Sequence, residues 1–224
     1  MIEIVSATRL SVNEFRQHSA LGQSLARLAF DDRIRVSLAP GNRSGLPQVF
    51  NARLLAPQSS EILVFIHDDV WIDDFFFADR IIEALKAYDV VGVAGNRRRI
   101  PGQPGWAFVD ANLTLDDLAN LSGAIAHGER PFGAVSYFGP APADCELLDG
   151  VFLAVRKSAV LEHGVSFDPR FDFHLYDMDF CRSARAKGLR LGTWPLCLTH
   201  QSSGAFGSEH WQATCRVYLE KWGS

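Results

Sequence analysis

Three short segments hold the side chains suited to chemistry: His67-Asp68-Asp69, Tyr176-Asp177-Met178-Asp179 and Thr199-His200-Gln201-Ser202-Ser203-Gly204. Two adjacent carboxylates repel each other and lose hydration where they meet a packed edge, so Asp68-Asp69 is costly to hold unless a cation or a proton offsets it. The simplest cation is a divalent metal, and hard oxygen ligands suit magnesium or manganese. A neutral imidazole such as His200 is a competent ligand for manganese. The serines and glycine after it make a polar loop able to close on phosphate. The plain alternative for a single His after a strand is a structural role. Asp177 stands where a helix begins, and its plainest role is to cap that helix. Capping would lower its pKa, which suits a permanently ionised base. Asp179, two residues on, falls on a different helical face, so the two do not serve one site equally.

These residues must be placed by a scaffold. Ile62 to Ile66 is an unbroken apolar run rich in β-branched residues, the pattern of a strand covered on both faces. Ligands of open α/β sheets bind beyond such strand ends, and the acidic pair follows directly. The spacing predicts further strands over Ile2–Ala7, Ile34–Leu38 and Val90–Ala94. It predicts helices over Val12–Phe30 and Pro47–Leu55, and one through Phe77, Ile81 and Leu85 capped by Asp73 or Asp74. That alternation is the signature of a parallel, Rossmann-like sheet. After Gly95 the character changes: an Arg/Pro/Gly-rich loop runs over 96–106. Strands are predicted at Ala107–Leu115, Ala134–Phe138, Leu147–Val155 and Leu189–Leu198. Asp116–Ala126 reads as partly helical, and helices are predicted at Lys157–His163, Asp177–Lys187 and Glu209–Trp222. Gly188 is a suitable C-cap.

A chain of 224 residues suits one large domain. At this length folding buries roughly 70% of the unfolded surface. A net charge of -4 argues against a general nucleic-acid binder, which usually carries a basic face. Arg97-Arg98-Arg99 is the one basic cluster, either a solvated loop or a clamp for an anion. Cys145, Cys181, Cys197 and Cys215 are widely spaced with no Cys-x-x-Cys, as in the reduced cysteines of a cytosolic protein. The first residues do not read as a signal peptide. No apolar run approaches the ~20 residues that span a bilayer, and peripheral membrane contact stays open.

The order of these motifs resembles a family 2-type glycosyltransferase of the GT-A fold, over Ile2 to about Gly207. The fold class this implies is α/β, a mixed and mainly parallel sheet flanked by helices. It is expected as a single domain with a nucleotide-binding half (1–95) and an acceptor-binding and catalytic half (96–224). His67-Asp68-Asp69-Val70 falls where the family has its Asp-x-Asp-like motif. The resemblance implies that Asp69 binds the metal, with His67 where the family commonly has the first acid. Leu148-Asp149-Gly150-Val151 resembles the strand lining the acceptor pocket. Tyr176-Asp177-Met178-Asp179 resembles the acidic helix start, which makes Asp177 the general base; the family more often has Glu where Tyr176 stands. Thr199-His200 resembles the position of a metal-binding His. The family's nucleobase-reading Asp is absent; Asn42 stands near its place and Asn51 resembles a recurrent Asn near the nucleotide. For Asn42 turn chemistry, and for Asn51 ordinary helix polarity, are equally good readings.

The function so implied is transfer of a sugar from a nucleoside-diphosphate sugar to a hydroxyl acceptor, with inversion and a divalent metal, Mn or Mg, as cofactor. The site would comprise Asp177 as base and Asp69 and His200 on the metal. Ala7, Thr8, Asn42, Asn51, His67 and Asp68 would face the nucleotide sugar. Asp149, Gly150 and Trp194 would face a carbohydrate or lipid-linked acceptor, and Trp106 is a second candidate for stacking on a sugar. The implied location is cytoplasmic, with polysaccharide synthesis as the setting; no nucleic acid is implied, and oligomeric state is open. Trp211, Tyr218 and Trp222 are candidates for an interface. The competing class is a catalytically silent nucleotide-sugar-binding or assembly domain on the same fold. A sugar-phosphate nucleotidyltransferase is disfavoured, because no Gly-rich, Lys-bearing loop follows the first strand.

Overall fold

The computed structural model describes residues 1–202, 204 and 206–223. Its centre is the predicted apolar run, β3 (Ile62–Ile66), whose side chains alternate between two cores. Leu63 and Phe65 join a cluster with Val5, Phe50, Phe167 and Phe180. Val64 and Ile66 join another with Ile2, Ile4, Phe77 and Phe152. Before it in the chain come β1 (Ile2–Ala7), α1 (Val12–His18), α2 (Ala20–Arg27), β2 (Ile34–Ala39) and α3 (Leu46–Leu54). After it come β4 (Val70–Ile72), α4 (Phe77–Ala87), β5 (Val90–Gly92), β6 (Ala94–Asn96), β7 (Leu121–His127), β8 (Ala134–Gly139), β9 (Ala143–Asp144), β10 (Leu147–Leu148), β11 (Phe152–Arg156), α5 (Lys157–Glu162), α6 (Tyr176–Ala186), β12 (Leu191–Thr193), β13 (Leu198–His200) and α7 (Glu209–Trp222).

The main sheet has the order β2-β1-β3-β11-β5-β12-β9. β1 pairs in parallel with β2 and β3, β12 is parallel to β5, and β11 and β9 run antiparallel to their neighbours. The mixed, mainly parallel α/β sheet is therefore as expected. A second sheet, β10-β6-β7-β13-β4 with β8 on β7, lies past the strand ends. No helix among the described residues is long and apolar enough to cross a membrane.

Several element boundaries differ from the expectation. The helix predicted over Val12–Phe30 breaks at Ser19, whose hydroxyl donates to Phe15 O at 2.7 Å and accepts from Gly22 N at 2.9 Å. It thereby ends α1 and caps α2. A Cβ on Gly22 would stand 2.0 Å from Phe15 O, so the corner needs glycine. Neither Asp73 nor Asp74 caps α4, which begins after Phe76 with no side-chain cap. Asp73 is buried and accepts from Thr199 Oγ1 and Phe132 N. Ala107–Leu115 is not a strand and holds only isolated bridges. The segment read as partly helical has one 3₁₀ turn, Leu118–Asn120, followed by β7. The strands predicted over Leu147–Val155 and Leu189–Leu198 are each interrupted and divided between the two sheets. The interface aromatics Trp211 and Tyr218 are buried, and Trp222 packs on the first core and donates to Asp179 at 2.7 Å.

Candidate active site

β3 ends at Ile66 and the chain emerges as His67-Asp68-Asp69 before turning into β4. β4 pairs antiparallel with β13 in the register His200↔Val70. That register sets His200 beside Asp69: the two are 3.2 Å apart, Nε2 to Oδ1, and Gln201 N donates to Asp69 O at 3.0 Å. A three-residue apolar strand, Val70-Trp71-Ile72, thus brings together residues separated by most of the chain. One ligand atom each from His67, Asp69 and His200 lie within 4.8 Å of one another. Adjacent ligands about 2.1 Å from an octahedral ion stand about 3 Å apart, so the Asp69–His200 spacing fits a shared divalent cation. Burial raises the Asp69 pKa, but the hydrogen bond and charge of His200, the charge of His67 and a hydrogen bond from Ser202 outweigh it and hold the carboxyl at about 2.

Asp177 sits in the first turn of α6, not at its cap. The cap residue is Leu175, in the left-handed region at φ 59, with no side-chain cap bond. Asp177 Oδ2 accepts from Gly150 N at 2.8 Å. Burial, then the negative charge of Asp149, drive its pKa up to about 7, against the backbone donors that lower it. This reverses the expected direction, because enclosure beside a second carboxylate outweighs the helix start. Asp179 faces away, pairing with Lys221 Nζ at 2.6 Å.

Asp149 and Gly150 lie in the turn between β10 and β11. Asp149 Oδ2 accepts from Trp106 Nε1 at 2.9 Å and Oδ1 from Val151 N at 2.9 Å. The Gly150 carbonyl accepts from the Tyr176 hydroxyl at 2.6 Å. A Cβ on Gly150 would fall 2.6 Å from Tyr176 Oη and 2.7 Å from Asp177 Cβ, so only glycine lets α6 approach this turn. Sequence reasoning did not find the Tyr176 contact with Gly150, nor the Phe173 ring stacked 6.1 Å from that of His67.

The remaining expected site residues divide. Parallel pairing runs Val5↔Phe65, and carried on by two residues it sets Ala7 level with His67. Thr8 is buried, donates its N–H to Ala39 O and accepts from Asn42 N. Asp68 takes Leu21 N on its carbonyl. Asn42 closes a turn on Ser44, donating from Nδ2 at 2.7 Å and accepting on Oδ1 at 3.2 Å. Asn51 commits both ends of its amide to Phe167, donating to O at 2.7 Å and accepting from N at 3.0 Å. Both asparagines therefore have hydrogen-bond partners within the chain, as turn chemistry for Asn42 and a helix-to-loop tie for Asn51. Trp194 packs against the second core and does not join the Asp149 turn; Trp106 is the tryptophan that does. Arg98 is bound to the buried Asp116 at 2.5 Å, which removes one member of the proposed basic clamp. Ser203, in the loop after His200, lies outside the described residues. A cleft of about 300 Å³ between β2 and α3 is lined by Leu38, Ser44, Gln48 and Val49 among others; none of the candidate site residues lines it.

No family model matches the sequence, and no curated protein matches it. Among solved structures, the chain is similar to the catalytic domain of Drosophila beta1,4galactosyltransferase 7 in complex with xylobiose. The TM-score is 0.53 at 10% identity, covering 96% of this chain and 79% of that one. It is also similar to GalNAc-T7 with UDP, GalNAc and Mn2+, with TM-score 0.53 and 13% identity over 99% of this chain and 48% of that one. The likeness is one of fold, and that fold is GT-A.

Proposed function

We propose that this GT-A chain is a metal-dependent glycosyltransferase, moving a sugar from a nucleoside-diphosphate sugar to a hydroxyl acceptor with inversion. The observation that carries the reading is one sheet edge holding a His/Asp/His set within 4.8 Å beside an aspartate whose pKa is raised to about 7. A GT-A neighbour solved with UDP, GalNAc and Mn2+ supports both the donor class and the metal.

In this reading Asp69 and His200 hold a divalent ion, manganese or magnesium. Such an ion supplies positive charge to the diphosphate leaving group. Asp177 accepts the proton of the acceptor hydroxyl. The acceptor oxygen bonds to the anomeric carbon as the bond from that carbon to the diphosphate oxygen breaks, and the nucleoside diphosphate departs with the electron pair. One base and one displacement invert the centre. A pKa near 7 places Asp177 where a carboxylate can both take and release a proton near neutrality. Ala7, Thr8 and Asp68, at the strand ends, flank the nucleotide. Asp149 and Gly150 line the acceptor side with Trp106, and a carbohydrate or lipid-linked acceptor is the class we assign. The cytoplasm and polysaccharide synthesis are the setting we infer.

The test is a thermal-shift screen of nucleoside diphosphates and nucleotide sugars with and without manganese, followed by turnover of the best donor. Stabilisation by one nucleotide only when metal is present, with transfer to a sugar acceptor, is the expected result. Metal-dependent binding without any turnover would instead favour a silent nucleotide-sugar-binding domain.

A further inference from the structure

The two departures of this site from the family pattern, His67 for an acid and Tyr176 for Glu, touch each other in the fold. His67 Nε2 lies 2.9 Å from the Tyr176 hydroxyl, and that hydroxyl lies 2.6 Å from the Gly150 carbonyl oxygen. A carbonyl can only accept, and a phenol has one proton to give. The Tyr176 proton is therefore committed to Gly150, and toward His67 the hydroxyl oxygen is an acceptor. Neutral His67 must then carry its proton on Nε2, which leaves Nδ1 with a free lone pair. His67 belongs to the same cluster as Asp69 and His200, the ligand atoms of all three lying within 4.8 Å.

We propose that His67 is a third protein ligand of the metal, through Nδ1, and that Tyr176 is the positioning residue that fixes its tautomer and ring. This rests on the transferase reading and deepens its metal site. The two departures then form one device: an acid is replaced by an imidazole, and the residue that orients the imidazole replaces the Glu. The ligand set becomes two imidazoles and one carboxylate. Imidazole ligation favours transition metals such as manganese, cobalt, iron or zinc over magnesium. The support also ties two functions to one peptide unit, because the Gly150 carbonyl anchors Tyr176 while its N–H is held by Asp177.

The experiment is pulsed EPR of the full chain loaded with Mn2+ alone, with natural-abundance and ¹⁵N-labelled histidine, alongside a manganese titration. Wild-type protein should show two coupled imidazole nitrogens, and His67→Ala one. Tyr176→Phe should keep two but bind manganese roughly 10–100-fold more weakly, as loss of a ligand's hydrogen-bond partner does. Magnesium should compete poorly with manganese in the wild type. A single coupled nitrogen in the wild type would overturn the ligand assignment without any variant having to fold. Unchanged manganese affinity in a folded Tyr176→Phe protein would overturn the positioning role. Because no donor is present, the outcomes separate: two nitrogens without nucleotide-sugar binding would sink the transferase reading alone. Transfer with a single nitrogen would sink only this assignment.

Discussion

Asp69 and Asp177 both lie half-buried past the strand ends, yet they are driven in opposite directions. For each, burial is the largest influence and raises the pKa. Around Asp69, His200 and His67 reverse that effect and hold it at about 2. Around Asp177, Asp149 adds to it, the backbone donors do not cancel it, and the group reaches about 7. The sign of the neighbouring groups therefore decides which carboxylate is a fixed anion suited to a cation and which can exchange a proton near neutral pH.

The sharpest way to break this comparison is Asp177→Asn. Loss of a general base should lower the transfer rate by roughly 10²–10⁴-fold while donor binding stays nearly intact. Calorimetric titration of donor alongside turnover reads both quantities, and a collapse of donor binding would show that Asp177 holds structure instead. On the other side, Asp69→Ala should weaken manganese by more than the roughly 10–100-fold that a supporting residue costs. A manganese affinity that does not change would remove Asp69 from the ligand set.

The contrast also predicts how the protein responds to pH. The folded chain retains a proton on Asp177 that the unfolded chain releases near 3.8, the ordinary value. The folded state therefore binds more protons between about pH 4 and 7, and this group's contribution to stability falls as pH rises through that window. Above 7 the whole cost of a buried anion is present. Asp177→Asn should then melt a few degrees above the wild type at pH 8, at ~2–4 °C per kcal/mol for a chain of this size. The difference should shrink toward pH 5. Activity should run the other way, with an acid limb of kcat/KM centred near pH 7. Equal melting temperatures at pH 8, or an acid limb near 4, would show that Asp177 is not held protonated.

Much of the Asp69 region was legible in the sequence, and less of the Asp177 region. The unbroken apolar run of β3 marks a central strand covered on both faces, so the acidic pair that follows it had to appear at a strand end. His200 after an apolar run was legible for the same reason. What was missing was β4, three residues long and too short to carry a period, although it sets the His200–Asp69 register. The second sheet is built from strands of two to seven residues interrupted by turns, and its tertiary pairing overrode local pattern at β7. The direction of the Asp177 shift was illegible because the Asp149–Gly150 turn meets it from a part of the chain that only the fold brings near. The Tyr176–His67 contact spans 109 residues of sequence and has no local signal. For Asn51 the helix position was legible, whereas the match of its amide to the Phe167 backbone, 116 residues away, was not.

The smallest effect expected is also the one that separates the two causes acting on Asp177. Asp149→Asn removes the neighbouring negative charge but leaves the burial, and its single amide oxygen keeps one of the two acceptor bonds, to Trp106 or to Val151. Since burial is the larger cause and Asp149 the second, the Asp177 midpoint should fall without returning to the ordinary carboxylate range, by less than about one unit for a partial loss of like-charge repulsion. Carbon-13 NMR of labelled aspartate carboxyls follows that midpoint directly, free of any part Asp149 plays in holding the acceptor. A midpoint that drops to near 4 would mean that like-charge repulsion, not enclosure, holds the proton. One that does not move would mean that Asp149 is screened from its neighbour, and the difference between the two aspartates would then rest on the groups around Asp69, His200 and His67 first.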